Sequence, residues 1–191
     1  MKALERYLNS FGKSVVKQSK QILQKDKKVV TGALLNSIKY NIVKTSNGYN
    51  VQFSMLDYGK FMDKGVSGVG GTMYKETDKY KPSKKEVTYT GERTFTDFKG
   101  IKRKSPYSYV SKMPPTKALD KWTVMRGLAP RDVKGRFLTR SSLKFALSRS
   151  IFIKGIEGIS FFQKPLGIEL RGFSAQIQKA VKEDILNNLR K

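Results

Sequence analysis

The chain has 191 residues, 39 Lys and Arg against 15 Asp and Glu, a net charge of +24, and neither His nor Cys. The two absences remove disulfides, thiol nucleophiles, imidazole acid–base chemistry and zinc sites of the usual ligand set. The charge calls for a polyanionic partner, or for an acidic protein that neutralises it on assembly, while an apolar content of 38% is enough for a folded core.

The N-terminal segment reads as an amphipathic helix: Leu4, Leu8, Phe11, Val15, Ile22 and Leu23 recur at helical spacing, and Lys25-Asp26-Lys27-Lys28 supplies a cationic last turn. A short turn or helix follows at Ala33–Ile38. Then come two strands, Tyr40–Val43 and Tyr49–Met55, joined by the hairpin signal Ser46-Asn47-Gly48. In the second strand Tyr49, Val51, Phe53 and Met55 alternate with polar residues, so one face is buried. Asp57–Lys64 reads as a short helix capped by Asp57.

The glycine-containing run Gly65–Gly71 breaks regular structure, and from there to Met113 the chain is polar, basic and rich in Tyr and Thr. This stretch reads as a loop ordered on assembly or a projecting hairpin, with Lys85–Tyr89 and Arg93–Phe98 as its paired strands. Beyond it, Pro114-Pro115 opens a helix to about Arg126 that buries Ala118, Leu119, Trp122 and Met125. Ser141 or Ser142 caps another helix, Leu143–Lys154. A last helix runs from about Ser174 to Leu189, with Ile177, Ala180, Val181, Ile185, Leu186 and Leu189 as its apolar stripe, read as core.

Few motifs carry chemistry. The Gly65–Gly71 run follows a helix instead of opening one, which argues against a phosphate loop and for a hinge to the insertion. Asp57 and Asp63 lie six apart, too far round a helix to share a face, so Asp57 reads as a cap and Asp63 as a partner of a nearby cation. No carboxylate cluster or nucleophile elbow is present, so the sequence nominates no catalytic residue, metal site or cofactor. The one clear chemical pattern is cations interleaved with aromatic rings, at Lys79-Tyr80-Lys81 and across Lys99–Tyr109. There Lys79, Lys81, Lys102, Arg103 and Lys104 suit phosphate contacts beside stacking rings, but the absence of sequence-specific reader motifs favours a solvated basic surface or one facing acidic neighbours. The positive excess is spread along the chain (12 basic against 4 acidic residues in 1–65, 18 against 7 in 66–140, 9 against 4 in 141–191), which excludes a detachable basic arm. No apolar run approaches the roughly 20 residues that span a membrane, and Lys2, Glu5 and Arg6 interrupt any signal-peptide pattern.

The run Thr31-Gly32-Ala33-Leu34-Leu35-Asn36-Ser37-Ile38, with Tyr58-Gly59-Lys60-Phe61-Met62-Asp63-Lys64-Gly65 directly after the hairpin, resembles the tail-completion, or neck, proteins of tailed phages. Met113-Pro114-Pro115, Trp122, Gly127, Lys134-Gly135-Arg136-Phe137 and the stretch from Ile151 to Pro165 look similar to a subgroup with a long insertion, whereas about Thr72 to Tyr107 matches no family pattern. Physically, Thr31 and Gly32 offer a cap and a permissive φ, Ser37 a local bond that ends the short helix, and Tyr58 and Phe61 a clamp on the hairpin. Asp63 suits an intersubunit contact and Gly65 a helix stop.

The expected fold is α+β: a small antiparallel sheet against the N-terminal and C-terminal helices, with residues 1–65 as helix plus hairpin, 66–112 as a basic insertion and 113–191 as the helical remainder. The resemblance implies a non-enzymatic virion protein, assembled in the bacterial cytoplasm as a ring of six or twelve copies. That ring would lie between portal and tail, touch portal, adaptor or tail proteins, and enclose genomic DNA, with no membrane partner. The rival reading is a ribosomal or nucleoid-like binder of nucleic acid without sequence preference, for which +24 is natural but several apolar helices with Trp122 are more than the task needs.

Overall fold

The computed structural model describes residues 2–26, 31–46, 48–76, 84–129, 131, 135–137 and 139–190. The fold is α+β, and the chain forms two compact units. The first comprises Met1–Asp63, Thr96–Lys102 and Ile159–Lys191, the second Lys64–Phe95 and Arg103–Gly158.

The first unit is organised by α1 (Lys2–Lys25), which buries Leu8, Phe11, Val15 and Leu23 at spacings of three, four and eight and leaves its lysines outside. Gly12 sits mid-helix because Tyr40 covers it: a Cβ there would overlap the Tyr40 ring. After α2 (Ala33–Ser37), strands β1 (Lys39–Thr45) and β2 (Gly48–Ser54) pair antiparallel from Lys39↔Ser54 to Thr45↔Gly48. As the alternation predicts, Tyr49, Val51 and Phe53 point to the covered face, and the expected turn residue Asn47 lies outside the described residues. Helices α3 (Gly59–Lys64), α6 (Gln163–Leu170) and α7 (Phe173–Leu189) complete the unit. The core gathers Leu23, Leu34, Ile38 and Phe161, with Met55, Met62, Ile159 and Phe162 packed against it. Each such side chain contributes about 1.5–3 kcal/mol when fully buried. A row of rings extends it: Phe173 lies 4.7 Å from Phe11, Phe11 6.3 Å from Phe53, and Phe53 5.3 Å from Phe162.

The second unit contains β3 (Val66–Ser67), β4 (Gly71–Glu76), β5 (Lys84–Tyr89), α4 (Ala118–Met125), α5 (Arg140–Lys154) and β8 (Gly155–Ile156). Strands β6 (Thr94–Thr96) and β7 (Lys102–Lys104) form a two-stranded sheet whose turn end belongs to the first unit. The expected pairing of Lys85–Tyr89 with Arg93–Phe98 does not form. β5 pairs with β4, from Gly71↔Tyr89 to Glu76↔Lys84. β6 pairs with β7 through a turn in which Asp97 Oδ1 accepts from the N–H groups of Lys99 and Ile101, both at 2.9 Å. The stretch expected to be a loop or a projecting two-stranded hairpin therefore carries five strands among the described residues.

The division at Gly158/Ile159 also departs from the expected one, in which residues 113–191 form a single helical remainder. Helix α4 begins at Ala118 and not at Pro114, and it buries Thr123 while Ala118 and Met125 are exposed. The cap of α5 is Thr139, whose side chain accepts from the Ser142 N–H at 3.2 Å, so the helix starts two to three residues earlier than expected. Lys144 pairs with Asp120 at 2.9 Å and joins the two helices.

In the first unit α7 holds the start of α1. Asp184 Oδ1 accepts from Ala3 N at 2.9 Å and Oδ2 from Leu4 N at 3.0 Å, a carboxylate placed on the positive end of the α1 dipole. Those two backbone donors hold the Asp184 carboxyl below the usual carboxylate range. A depressed folded-state pKa gives stability that is present above the unfolded value of about 3.9 and is lost as pH falls through the folded one. Asp184→Asn should therefore unfold at lower urea than the wild type at pH 7, and the two midpoints should converge as pH drops below about 4. Parallel midpoints across that range would show that the charge contributes nothing.

Candidate functional site

The two motif segments carry most of the sequence-predicted site residues. Thr31 Oγ1 accepts from Ala33 N at 3.3 Å, and Gly32, at φ 74°, accepts through its carbonyl from Asn36 N at 2.9 Å as α2 begins. Ser37 Oγ donates to the Leu34 carbonyl at 2.7 Å and accepts from Leu56 N at 3.1 Å. One hydroxyl thus ends α2 and fastens it to the residues that follow β2.

Tyr58 and Phe61, expected to clamp the hairpin, stand at the surface. They are 45% and 36% exposed, and Leu56 beside them is 40% exposed. A six-residue helix has room for one inward side, and α3 gives it to Gly59, Met62 and Asp63. Gly59 is closed in by Met55 and Leu34, where a Cβ would come within 2.7 Å and 2.9 Å of side-chain atoms. Leu56, Tyr58 and Phe61 are left as an apolar and aromatic surface, with Lys60 Nζ 5.3 Å from the Phe61 ring centre.

Asp63 is buried at 3% exposure, and its partners are in its own chain. Its Oδ1 accepts from Phe162 N at 2.8 Å and Gln163 N at 3.4 Å, and its carbonyl accepts from Ser160 N at 2.9 Å. It caps α6 from a hundred residues away. Ser160, at φ 52°, accepts through Oγ from Thr96 N at 2.8 Å.

Gly65 ends the motif at φ 74°, and a Cβ there would lie 2.6 Å from Gly158 N and 2.7 Å from the Ile156 carbonyl oxygen. The glycine run after it is no hinge. Gly68 N donates to Gly91 O at 2.8 Å, Val69 N to Phe152 O at 2.9 Å and Gly70 N to Ile153 O at 3.1 Å. Ser67 exchanges bonds with Tyr107 and Tyr109, both at 2.8 Å. Gly68 has no space for a side chain because the Ile153 carbonyl occupies it. These glycines let backbone meet backbone at the centre of the second unit.

Of the candidate cations, Lys79 and Lys81 lie outside the described residues. Lys102, Arg103 and Lys104 are consecutive on β7 and all exposed, so the strand's alternation turns Lys102 and Lys104 one way and Arg103 the other. Lys104 Nζ is 2.7 Å from Glu92 in an exposed pair worth little to stability. Among the described residues no group of three or more Asp or Glu is placed to hold a metal ion, and no helix is long and apolar enough to cross a membrane.

The sequence reading missed Asp97 and Asp184 as backbone acceptors. For Asp97 the signal was Asp97-Phe98-Lys99-Gly100, an acidic residue three before a glycine that adopts φ 83°. No protein-family model, curated protein or solved structure matches the chain. Removing the Asp63 acceptor by Asp63→Ala should lower the unfolding free energy by about 2 kcal/mol, since bonds to a charged group contribute roughly 1.5–3, with a smaller loss for Asp63→Asn. Chemical denaturation measures both, and wild-type stability in the alanine variant would mean that α6 needs no cap.

Proposed function

We propose that the chain is a structural protein of a tailed-phage virion, assembling with copies of itself into a ring in the neck between head and tail. The observation that carries this reading is the surface of Leu56, Tyr58 and Phe61: the motif shared in resemblance with neck proteins displays its large apolar side chains outward. Large aromatic residues of this kind supply the fully desolvated centre of protein interfaces. In a ring, this surface on one subunit meets a different surface on the next, and rotation closes the circle at six or twelve copies. The protein acts by shape and performs no reaction. The lumen conducts DNA, and the net charge of +24 is met by that DNA, by acidic neighbouring rings, or by both.

Negative-stain images of the purified chain should contain rings. Tyr58→Asp combined with Phe61→Asp should abolish them without changing the far-ultraviolet circular dichroism, because neither ring is buried in the subunit. A wild-type chain that stays monomeric, alone and with its portal and tail proteins, would overturn the proposal. So would a metal-dependent nuclease activity that disappears on substitution of one Asp or Glu.

The exposed cations of β7 favour a second reading, a free nucleic-acid binder, and the two are separable. Under either, DNA binding should lack sequence preference and fall steeply with salt, by roughly three to five decades between 50 and 200 mM if six to ten phosphates are contacted. Reversing Lys102, Arg103 and Lys104 to Glu discriminates. If these residues face DNA in a neck, particles should assemble but lose their genome. If they face an acidic ring, heads and tails should remain unjoined. Normal infectious particles from the triple variant would show that β7 is a solvated surface.

A further inference from the structure

The stretch of the second unit from Arg103 to Lys154 holds 13 Lys and Arg against 2 Asp. Among its described residues the one carboxylate is Asp120, which Lys144 engages at 2.9 Å. The same stretch exposes large apolar side chains, and α4 carries both properties on one side. Thr123 is buried, with Leu119 and Trp122 half-buried, and these mark the inward side of the helix. Lys117, Lys121, Val124 and Leu128 follow one another at steps of four, three and four, with Met125 beside Val124, and all five are exposed. Val124 and Met125 are each 54% exposed. Leu128 lies past the helix end but is held in place. Gly127 N donates to Val124 O at 2.9 Å and Leu128 N to Thr123 O at 3.1 Å, the pair of bonds that closes a helix over a left-handed glycine, here at φ 62°.

This combination narrows the partner. Nucleic acid would bond to the lysines through phosphate, but it would leave most of the aliphatic surface of Val124, Met125 and Leu128 in water. A second copy brings charge of the same sign: the second unit alone carries 20 basic against 7 acidic residues, and like charges oppose its approach. A neutral apolar protein would desolvate Lys117 and Lys121 without giving them partners. A protein segment that carries both carboxylates and aliphatic side chains satisfies the lysines and covers the apolar residues together.

We propose that the outward side of α4 docks an acidic amphipathic segment of another protein. Its carboxylates meet Lys117 and Lys121, and its aliphatic side chains cover Val124, Met125 and Leu128. The lysines stand on the first turn and the apolar residues on the last, so charge fixes the direction in which the segment runs: acidic end over the start of α4, apolar end over Gly127 and Leu128. The row is about three turns long, and it buries less than the roughly 800 Å² per partner of a standard interface, so the contact by itself is weak and reversible. It shares no residue with the ring contact proposed for Leu56, Tyr58 and Phe61, and it stands without the ring reading.

The test uses the full chain and three fluorescein-labelled probes: a synthetic helical peptide with Glu at one end and Leu at the other, a peptide with the same number of Glu and no Leu, and a DNA duplex. The Glu–Leu peptide should bind the wild type about tenfold more tightly than the all-Glu peptide, through partial burial of aliphatic side chains. Val124→Ser with Met125→Ser should remove that margin and leave the affinity for the all-Glu peptide and for DNA unchanged. Lys117→Gln with Lys121→Gln should weaken both peptides several-fold. All four side chains are exposed, so the melting temperature should change little in either variant. The chain has no native cysteine, so Met125→Cys carrying an environment-sensitive dye reports this place alone, and its emission should shift to the blue with the Glu–Leu peptide. A margin that survives the serine substitutions would overturn the proposal. So would an equal dye shift with DNA, which would give the face to nucleic acid, or a shift on concentrating the protein by itself, which would give it to a second copy.

Discussion

A buried carboxylate that accepts backbone N–H groups, followed directly by glycines that admit backbone where side chains would not fit, is the constraint from which both units grow. Asp63 is the last residue of the first unit's leading segment, and it fixes the start of α6 through Phe162 N and Gln163 N. Two residues on, the chain enters the run in which Gly65 and Gly68 approach residues 153–158 too closely for a Cβ, while Gly68 N and Gly70 N bond to the backbone of Gly91 and Ile153. Local sequence predicts neither arrangement, since both join segments about 20 to 100 residues apart. The energetic logic is the same in each: a buried polar group of the backbone must find a partner, and the chain supplies one from a distance.

That logic explains what the sequence reveals. Helix α1 and the β1–β2 hairpin are legible because their signals are local: a 3.6-residue repeat over 24 residues, and an alternation that follows an Asn-Gly pair in the sequence. Helix α6 is not, since Pro165 and Gly167 within eight residues read as breakers. The proline is tolerated because it stands in the first turn, where no intrahelical acceptor exists for its missing N–H. The glycine is required because the Phe98 carbonyl lies where its Cβ would be. Strand β5 was legible but its partner was not, because the choice of β4 over β6 is made by turn chemistry at Asp97 and by the Gly68–Gly91 bond.

The site residues divide along the same line. Ser37 and Gly32 act within four residues of themselves in the α2 turn, a role a sequence can show, although the Ser37 bond to Leu56 reaches further. Tyr58, Phe61 and Asp63 were assigned by the chemistry of their side chains, and the structure exchanges their parts: the rings face outward and the charge faces inward. A short helix places whichever side chains fit against the core already present, and here the small Gly59 and the flexible Met62 fit beside Met55 and Leu34 where two bulky rings would not. The stripe read on α7 was likewise a merger of two faces. Hydrophobicity records both without saying which is inside, and only the buried Ala180 and Asp184 identify the inner one.

The distribution of charge then sorts the exposed apolar residues by the partner each can accept. Val124, Met125, Leu128 and Phe145 are exposed on stretches of the chain that also carry Lys117, Lys121 and Arg149, so a surface approaching them gains from negative charge. The outer face of α7 carries Lys182 beside its apolar residues, while Glu183 and Asp184 are engaged with Arg6 and the start of α1. The two kinds of contact respond to ionic strength in opposite directions. Salt screens the repulsion between like-charged copies and favours their contact through apolar surface such as Leu56, Tyr58 and Phe61. It also screens the attraction of cations for an acidic or nucleic-acid partner, and it weakens that contact further by removing the entropy of counterion release. A titration of salt on the assembled protein should therefore dissociate the anionic partner first while copies remain together through apolar contacts. The reverse order would mean that self-association is itself held by the cations.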